Sequence, residues 1–306
     1  MPATFSLLPL LALALWGGTA RAAYVAPPAG GETARTEAAG LRIDFLDVGH
    51  GDAILITSPT GKTVLVDGGM PNAGPRVAAF VRSRTNAPID LVILTHRHAD
   101  HLGGLATVIS RQGARAFMDA VFPHPSPGYD KLMRVLHERQ IPVREAQRGR
   151  AVDLGGGARL VLLTPPEPLI SGSRSDVNAN SLVARLELGQ VRVLLTGDAE
   201  AVTEDWLLRS KVDLRADVLK LAHHGGRHSS TARFLRAVSP RIAVASAGPG
   251  QRSGTLQPQT EARVHSAGAR LYRTDQDGNI TVWTDGRAVR VEVSGRRQRA
   301  AAEAPR

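Results

Sequence analysis

The chain has 306 residues, 42% of them apolar and 22% charged, with a formal net charge of +10 and no cysteine. This composition suits a folded domain with a buried core, and the absent cysteines exclude a disulfide framework, a lipid-modified cysteine and a thiolate metal site. The positive balance is almost wholly arginine, since lysine occurs only at positions 62, 131, 211 and 220; it fits an anionic partner such as nucleic acid, teichoic acid or membrane headgroups, and equally fits an arginine- and alanine-rich genome.

In chain order, the apolar run Leu7 to Trp16 is too short to span a bilayer comfortably and precedes the small-residue site Ala20-Arg21-Ala22. It reads as a cleaved signal peptide over 1–22, which makes the protein secreted, periplasmic or attached to the cell surface, with no integral membrane domain after cleavage. No Lys or Arg precedes the run, so an uncleaved N-terminal anchor is the alternative. A Pro/Gly/Ala linker fills 23–40. Strands are then expected at Leu41 to Leu46, Ala53 to Thr57, Thr63 to Val66 and Leu91 to Leu94, with helices at Pro75 to Arg84, after Gly104, and at Tyr129 to Arg139. The second half reads as strands at Leu160 to Thr164, Leu182 to Leu188, Val191 to Leu195, Val218 to Ala222 and Ile242 to Ala245. Its helices fall at Ala199 to Arg209, Phe234 to Val238 and Glu261 to Ala267. Two strand-rich halves with helices outside imply an α/β fold in which two packed sheets lie between helical layers, over 41–293. The basic tail 294–306 has too few apolar residues to pack and is expected to be disordered.

The densest chemistry lies in Thr95-His96-Arg97-His98-Ala99-Asp100-His101, where four metal-ligand types fall within six positions directly after the buried run at Leu91. Imidazole and carboxylate at this density suit Zn²⁺, Mn²⁺ or Fe²⁺, whereas Mg²⁺ takes oxygen ligands and keeps its waters. Leu194-Leu195-Thr196-Gly197 ends another strand, so Asp198 is expected at a sheet edge, where a carboxylate bridges two cations about 3.5–4 Å apart. Asp198 also suits the N-cap of the helix that follows.

The H-x-H-x-D-H pattern resembles the first metal motif of the metallo-β-lactamase superfamily. Four further segments narrow the likeness: Phe45 to Ala53, Val66-Asp67-Gly68-Gly69, Leu195-Thr196-Gly197-Asp198 and Leu219 to Gly226. Their order is similar to the metallo-β-lactamase-like domain of DNA-uptake proteins of the ComEC/Rec2 type, over about Leu41 to Asp285. The resemblance implies a four-layer αββα sandwich with a dinuclear centre, two Zn²⁺ or alternatively Mn²⁺. The expected metal ligands are His96, His98, Asp100, His101, Asp198 and one or both of His223 and His224, with Asp100, Asp198 and His224 taking part in catalysis. Asp52 and Asp67 are expected to orient ligating histidines, or simply to shape turns. Asn180, in Asn178-Ala179-Asn180-Ser181-Leu182-Val183, is the expected substrate-orienting group. Arg97 and Arg227 are the expected phosphate contacts, with hydrogen bonds from His228, Ser229 and Ser230, and each arginine reads equally well as a solvated charge. Two departures stand out. Between the first motif and Asp198 only His124 and His137 occur, neither placed to ligate, and Gly250 to Pro258 lacks the aromatic and histidine of the DNA-uptake relatives.

The expected activity is phosphodiester hydrolysis by a metal-bound hydroxide, on single-stranded DNA or another anionic phosphodiester. The alternatives are a smaller phosphoester of the phosphorylcholine type, a lactam or lactone, or an anion- or DNA-binding module without turnover. Aromatics make up only 4% of the chain, too few for an evident base-stacking surface. A role in DNA transport would need a separate membrane partner.

Overall fold

The computed structural model describes residues 23–24, 40–120, 122–249 and 255–295. The signal-peptide reading, most of the linker and the tail beyond Gly295 lie outside the described residues, and Ala23–Tyr24 forms a short strand, β1, where linker was expected. The strands β2 (Leu41–Phe45), β3 (Ile54–Thr57) and β4 (Thr63–Val66) run as an antiparallel meander. β5 (Leu91–Ile93), β6 (Phe117–Asp119) and β7 (Val143–Glu145) then add in parallel. A second sheet comprises β8 (Ala151–Gly155), β9 (Ala158–Leu162), β10 (Ala184–Leu188), β11 (Val191–Leu195), β12 (Val218–Lys220), β13 (Ile242–Ala245) and β14 (Arg270–Arg273). The chain then returns to the first sheet as β15 (Ile280–Thr284) and β16 (Ala288–Val293), with β15 antiparallel to β2. The orders are β1-β16-β15-β2-β3-β4-β5-β6-β7 and β14-β13-β12-β11-β10-β9-β8.

Alternation along the strands explains the layers. Ile43, Phe45, Ile54, Ile56, Val64 and Val66 share one core with Leu160, Leu186 and Val193 between the sheets. Leu55, Leu65 and Val92 point the other way, onto helices α1 (Gly74–Arg84), α3 (Leu105–Gln112) and α4 (Pro127–Glu138), with a one-turn α2 (Ala99–Leu102) within the metal motif between α1 and α3. Leu194, Leu219 and Ala243 do the same on the far side, after a one-turn α5 (Asp176–Ala179), under α6 (Ala201–Arg209), α7 (Ala232–Val238) and α8 (Pro258–Ser266). With both faces covered, the central strands read as unbroken apolar runs. The fold is the αββα sandwich that the spacing of elements implies.

Differences from expectation sit at edges and caps. β7 is exposed at all three positions and so carries no apolar signal, while β8 alternates over too few residues, with only Val152 and Leu154 turned inward. Helix α4 begins earlier, because Ser126 Oγ accepts from Tyr129 N and Pro127 suits the first turn. Helix α6 begins after Glu200, so Asp198 is not its N-cap.

Parallel neighbours put functional loops on one edge. β5 and β4 end together in the first sheet, and β11 and β12 end together in the second. Leu182 N donates to Thr95 O at 2.9 Å, tying the two edges face to face. Gly51 allows the remaining loop to approach: its φ is +120°, and a Cβ there would lie 2.1 Å from Asp100 O. Gly51→Ala is expected to destabilise by on the order of 2 kcal/mol from backbone strain alone, with the clash adding to it. Thermal melting and metal content together check this; an unchanged melting temperature contradicts it.

Candidate metal centre

Each ligand candidate comes from the end of a buried strand. After β5, the chain turns through His96 and His98 into α2, which carries Asp100 and His101. After β11 come Thr196, Gly197 and Asp198, and after β12 a tight turn holds His223 and His224 at φ 51° and 56°. Two successive non-glycine residues in the left-handed region cost roughly 1–2 kcal/mol each, and this turn brings both rings to the Asp198 carboxylate. His223 Nε2 and His96 Nε2 each lie 3.8 Å from Asp198 Oδ2, and His224 Nε2 lies 3.6 Å from it. His101 Nε2 lies 3.2 Å from the other oxygen, Oδ1. Asp100 Oδ2 is 3.2 Å from His224 Nε2 and 3.8 Å from His101 Nε2, and His98 Nδ1 is 3.1 Å from His96 Nε2.

The outer ring nitrogens have partners that fix the tautomers. His224 Nδ1 is 3.0 Å from the Ser246 carbonyl, which only accepts, so Nδ1 carries a proton and Nε2 presents its lone pair inward. His101 Nδ1 donates to Asp67 Oδ2 at 2.8 Å. Thr95 Oγ1 donates to the same Asp67 oxygen at 2.7 Å and is therefore an acceptor for His96 Nδ1, 3.1 Å away. His223 Nδ1 faces Glu200 Oε1 at 3.3 Å. Four Nε2 atoms thus converge on two carboxylates, Asp198 and Asp100.

Electrostatics express a demand for positive charge. Burial would raise Asp198, yet His101 and His224 hold it well below the usual carboxylate range. Burial disfavours a charged His101, but Asp198, Asp100 and Asp67 hold it well above the ordinary histidine value. His224 shows the same contest and is raised to about 9 by Asp198, Asp100 and Asp52 against its burial. His96 is driven well below the ordinary value by burial and by His101, which keeps it a neutral donor.

A sequence profile described as the metallo-beta-lactamase superfamily matches residues 46–248. The chain belongs to the metallo-beta-lactamase superfamily. Within it, the chain is similar to ComE operon protein 3 of Bacillus subtilis, at 25% identity over 78% of this chain and 32% of that protein. It is also similar to Recombination protein 2 of Haemophilus influenzae, at 31% identity over 68% of this chain and 24% of that protein. It therefore spans a third or less of the length of these relatives. A solved metallo hydrolase, Igni18 of Ignicoccus hospitalis, shares the fold with a TM-score of 0.51 and 17% identity over 78% of this chain and 98% of that one.

The residues fit the metal that a metallo-beta-lactamase site implies. Asp198 Oδ1 and His101 Nε2 are buried without a hydrogen-bond partner although they face each other, and a cation between two such lone pairs satisfies both. Asp100, His101, Asp198 and His224 offer ligand atoms all within 4.8 Å of one another. His96 and His223 also lie within 3.8 Å of Asp198 Oδ2, and His98 stands against His96. Both members of the His223-His224 pair thus face the same Asp198 oxygen.

Other expected contacts are placed elsewhere. Asn180 is buried with its amide spent on the backbone: Oδ1 accepts from Ile170 N, and Nδ2 donates to Ile170 O and Asp176 O. A role in orienting substrate is corrected accordingly. Its neighbour Asn178 is the one near the centre, with Nδ2 3.4 Å from Glu200 Oε1. Arg97 points away from the metal donors, binding Asp119 Oδ2 at 2.6 Å and lying 3.8 Å over the Tyr129 ring, so it holds α4 to the sheet instead of phosphate. Ser229 is buried and donates to the carbonyls of Ala222 and Gly226, which makes it a brace of the histidine turn. Ser230 is buried too, whereas Arg227 and His228 are exposed on the following loop. The segment Gly250 to Gly254 lies outside the described residues.

Some functional neighbours were missed. His50, inside a motif read only as a turn, puts Nε2 3.0 Å from Asp100 Oδ2 and is part-exposed. His124 brings its ring edge-on to His98 at 5.4 Å, although its proline-rich loop gave no sign of this. His137 is on α4 beside a surface cavity lined by Asp130, Met133, Arg134 and Glu138. Glu200 has a carboxyl at about 2, where burial is overcome by His223 and Arg174. Its nearness to the bridging Asp198 in sequence was the available signal.

Proposed function

We propose that this chain is an exported, metal-dependent phosphodiesterase with a dinuclear centre, acting on single-stranded DNA or a chemically similar phosphodiester. The observation that carries the reading is the ring of inward nitrogens around Asp198, each backed by a fixed outer partner. Backed histidines of this kind are how metal ligands are oriented. His96, His98 and His223 would hold one ion, Asp100, His101 and His224 the other, and Asp198 both. Bound there, a pair of divalent ions supplies acidified water and polarises phosphoryl oxygens. The chain's own residues supply the rest. Asp67, Thr95, Glu200 and Ser246 lock the rings, and the buried floor excludes bulk water. His50, part-exposed and bonded to Asp100, is the group this reading assigns to pass a proton to the departing alkoxide.

Support for a nucleic-acid substrate comes from the net charge of +10 and from the competence and recombination proteins that the chain resembles. Export rests on the Leu7 to Ala22 segment; among the described residues no helix is long and apolar enough to cross a membrane. The test is elemental analysis of purified protein, followed by hydrolysis of bis(p-nitrophenyl) phosphate and single-stranded DNA with Zn²⁺ or Mn²⁺. Two ions per chain with cleavage abolished by chelator is the expected result. Full activity in metal-free protein overturns the mechanism, and bound metal with no phosphodiester cleavage overturns the substrate class.

A further inference from the structure

Beneath the metal donors lies a cation that neither ligates nor reaches solvent. Lys220 ends β12 with its side chain fully buried. Its Nζ pairs with Asp52 Oδ2 and donates to the Gly197 carbonyl at 3.2 Å, immediately before the bridging Asp198. Asp52 is also buried, and it faces the rear nitrogens of both rings in the second ion set: His224 Nδ1 at 3.4 Å and His101 Nδ1 at 3.8 Å. A single ammonium therefore stands behind Asp198, His101 and His224, linked to each through one intervening group.

Burying an ammonium is costly, and breaking a buried pair from one side is costlier still, because it leaves the other charge uncompensated. The charge count gives this arrangement a purpose. Asp52, Asp67, Asp100 and Asp198 gather four carboxylates around the centre. Among them Lys220 supplies one positive charge that does not depend on metal being present. Resting on the dinuclear reading above, we infer that Lys220 is a permanent internal cation of the metal centre, a positioning residue that keeps Asp52 aimed at the backs of His101 and His224. Through them it sets how tightly the ion held by Asp100, His101 and His224 is bound. Without it, Asp52 loses its nearest counter-charge, the Gly197 carbonyl loses a donor, and the support behind all three ligands weakens together.

The test titrates the metal-free full chain with Zn²⁺ by calorimetry and with Co²⁺ by visible absorption. Wild type is expected to take two ions, and Lys220→Met to bind one of them, the ion held by Asp100, His101 and His224, about 10- to 100-fold less tightly with an altered Co²⁺ spectrum, the usual penalty for losing support behind a ligand. The double variant Lys220→Met with Asp52→Asn removes both charges and is expected to regain most of the lost affinity, whereas a packing role for Lys220 makes the double variant as poor as the single one or worse. Circular dichroism confirms that each variant is folded. If Lys220→Met does not fold, Asp52→Asn alone takes its place, strands the ammonium, and should bind more weakly than the double variant. Equal Zn²⁺ affinity in wild type and Lys220→Met, or no recovery in the double variant, overturns the proposal while leaving the metal reading intact. A wild-type chain that takes up no Zn²⁺ or Co²⁺ overturns both.

Discussion

Asp198→Asn is expected to lower metal-dependent hydrolysis by at least about a hundredfold and to reduce bound metal below two ions per chain, with the fold kept. Among the described residues, Asp198 is the one carboxylate within 4 Å of His96, His101, His223 and His224 together. An amide of the same shape keeps one acceptor but brings neither the negative charge nor a second lone-pair-bearing oxygen, so it cannot bridge two cations. The backbone there is held in either case, because its N–H donates to Ser181 Oγ at 3.2 Å whichever side chain is present. Elemental analysis, turnover and circular dichroism on one preparation check the three parts. Near-wild-type turnover in a folded Asp198→Asn protein would remove the bridging role.

The second large effect concerns the metal-free chain and pH. His224 is raised from 6.5 to about 9, with Asp198, Asp100 and Asp52 outweighing its burial. A proton held more tightly in the folded state stabilises fully below about pH 6.5, and that contribution is lost as pH rises toward 9. It amounts to on the order of 3 kcal/mol. Chelated protein is therefore expected to melt at progressively lower temperature between pH 6.5 and 9. Zn²⁺-loaded protein should lose much less over the same range, because the ion takes over the role of the proton and binds the folded state alone. At the acid end the sign reverses. Asp198 and Asp52 are held below the usual carboxylate range by His101, His224 and Lys220 despite burial, so their stabilisation is present above about pH 4 and fades below it. Melting curves with and without chelator measure both arms. A chelated protein whose stability is flat from pH 6.5 to 9 would contradict this account of His224.

What could be read from the sequence follows the range of the interactions involved. His96 to His101 declare themselves because their spacing is local and follows a strand apolar on both faces. Asp198 is legible for the same reason, at a strand end, whereas His223-His224 enters through the resemblance of Leu219 to Gly226 to a known motif. The duties of Asn180, Arg97 and Ser229 depend on partners whose positions no local pattern encodes: the backbone of Ile170, the carboxylate of Asp119 and the carbonyl of Ala222. Lys220 is the clearest case. In sequence it is a lone charge ending an apolar run, and only the packing of the two sheets against each other brings Asp52 to its ammonium. Edge strands β7 and β8 escape notice because an exposed or short strand has little apolar periodicity to display.

The late return of β15 and β16 has a consequence for biosynthesis. β2, paired with β3 on one side, finds its second neighbour only when Ile280–Thr284 arrives, with Thr284 opposite Leu41 and Ile280 opposite Phe45. As the nascent polypeptide leaves the ribosome, every ligand of the centre has been translated while that flank of the first sheet still lacks its partner. Unpaired strand edges recruit other chains, and pairing across so long a stretch of sequence is intrinsically slow. A truncation ending before Ile280 would carry the full set of donors yet remain an aggregation-prone intermediate.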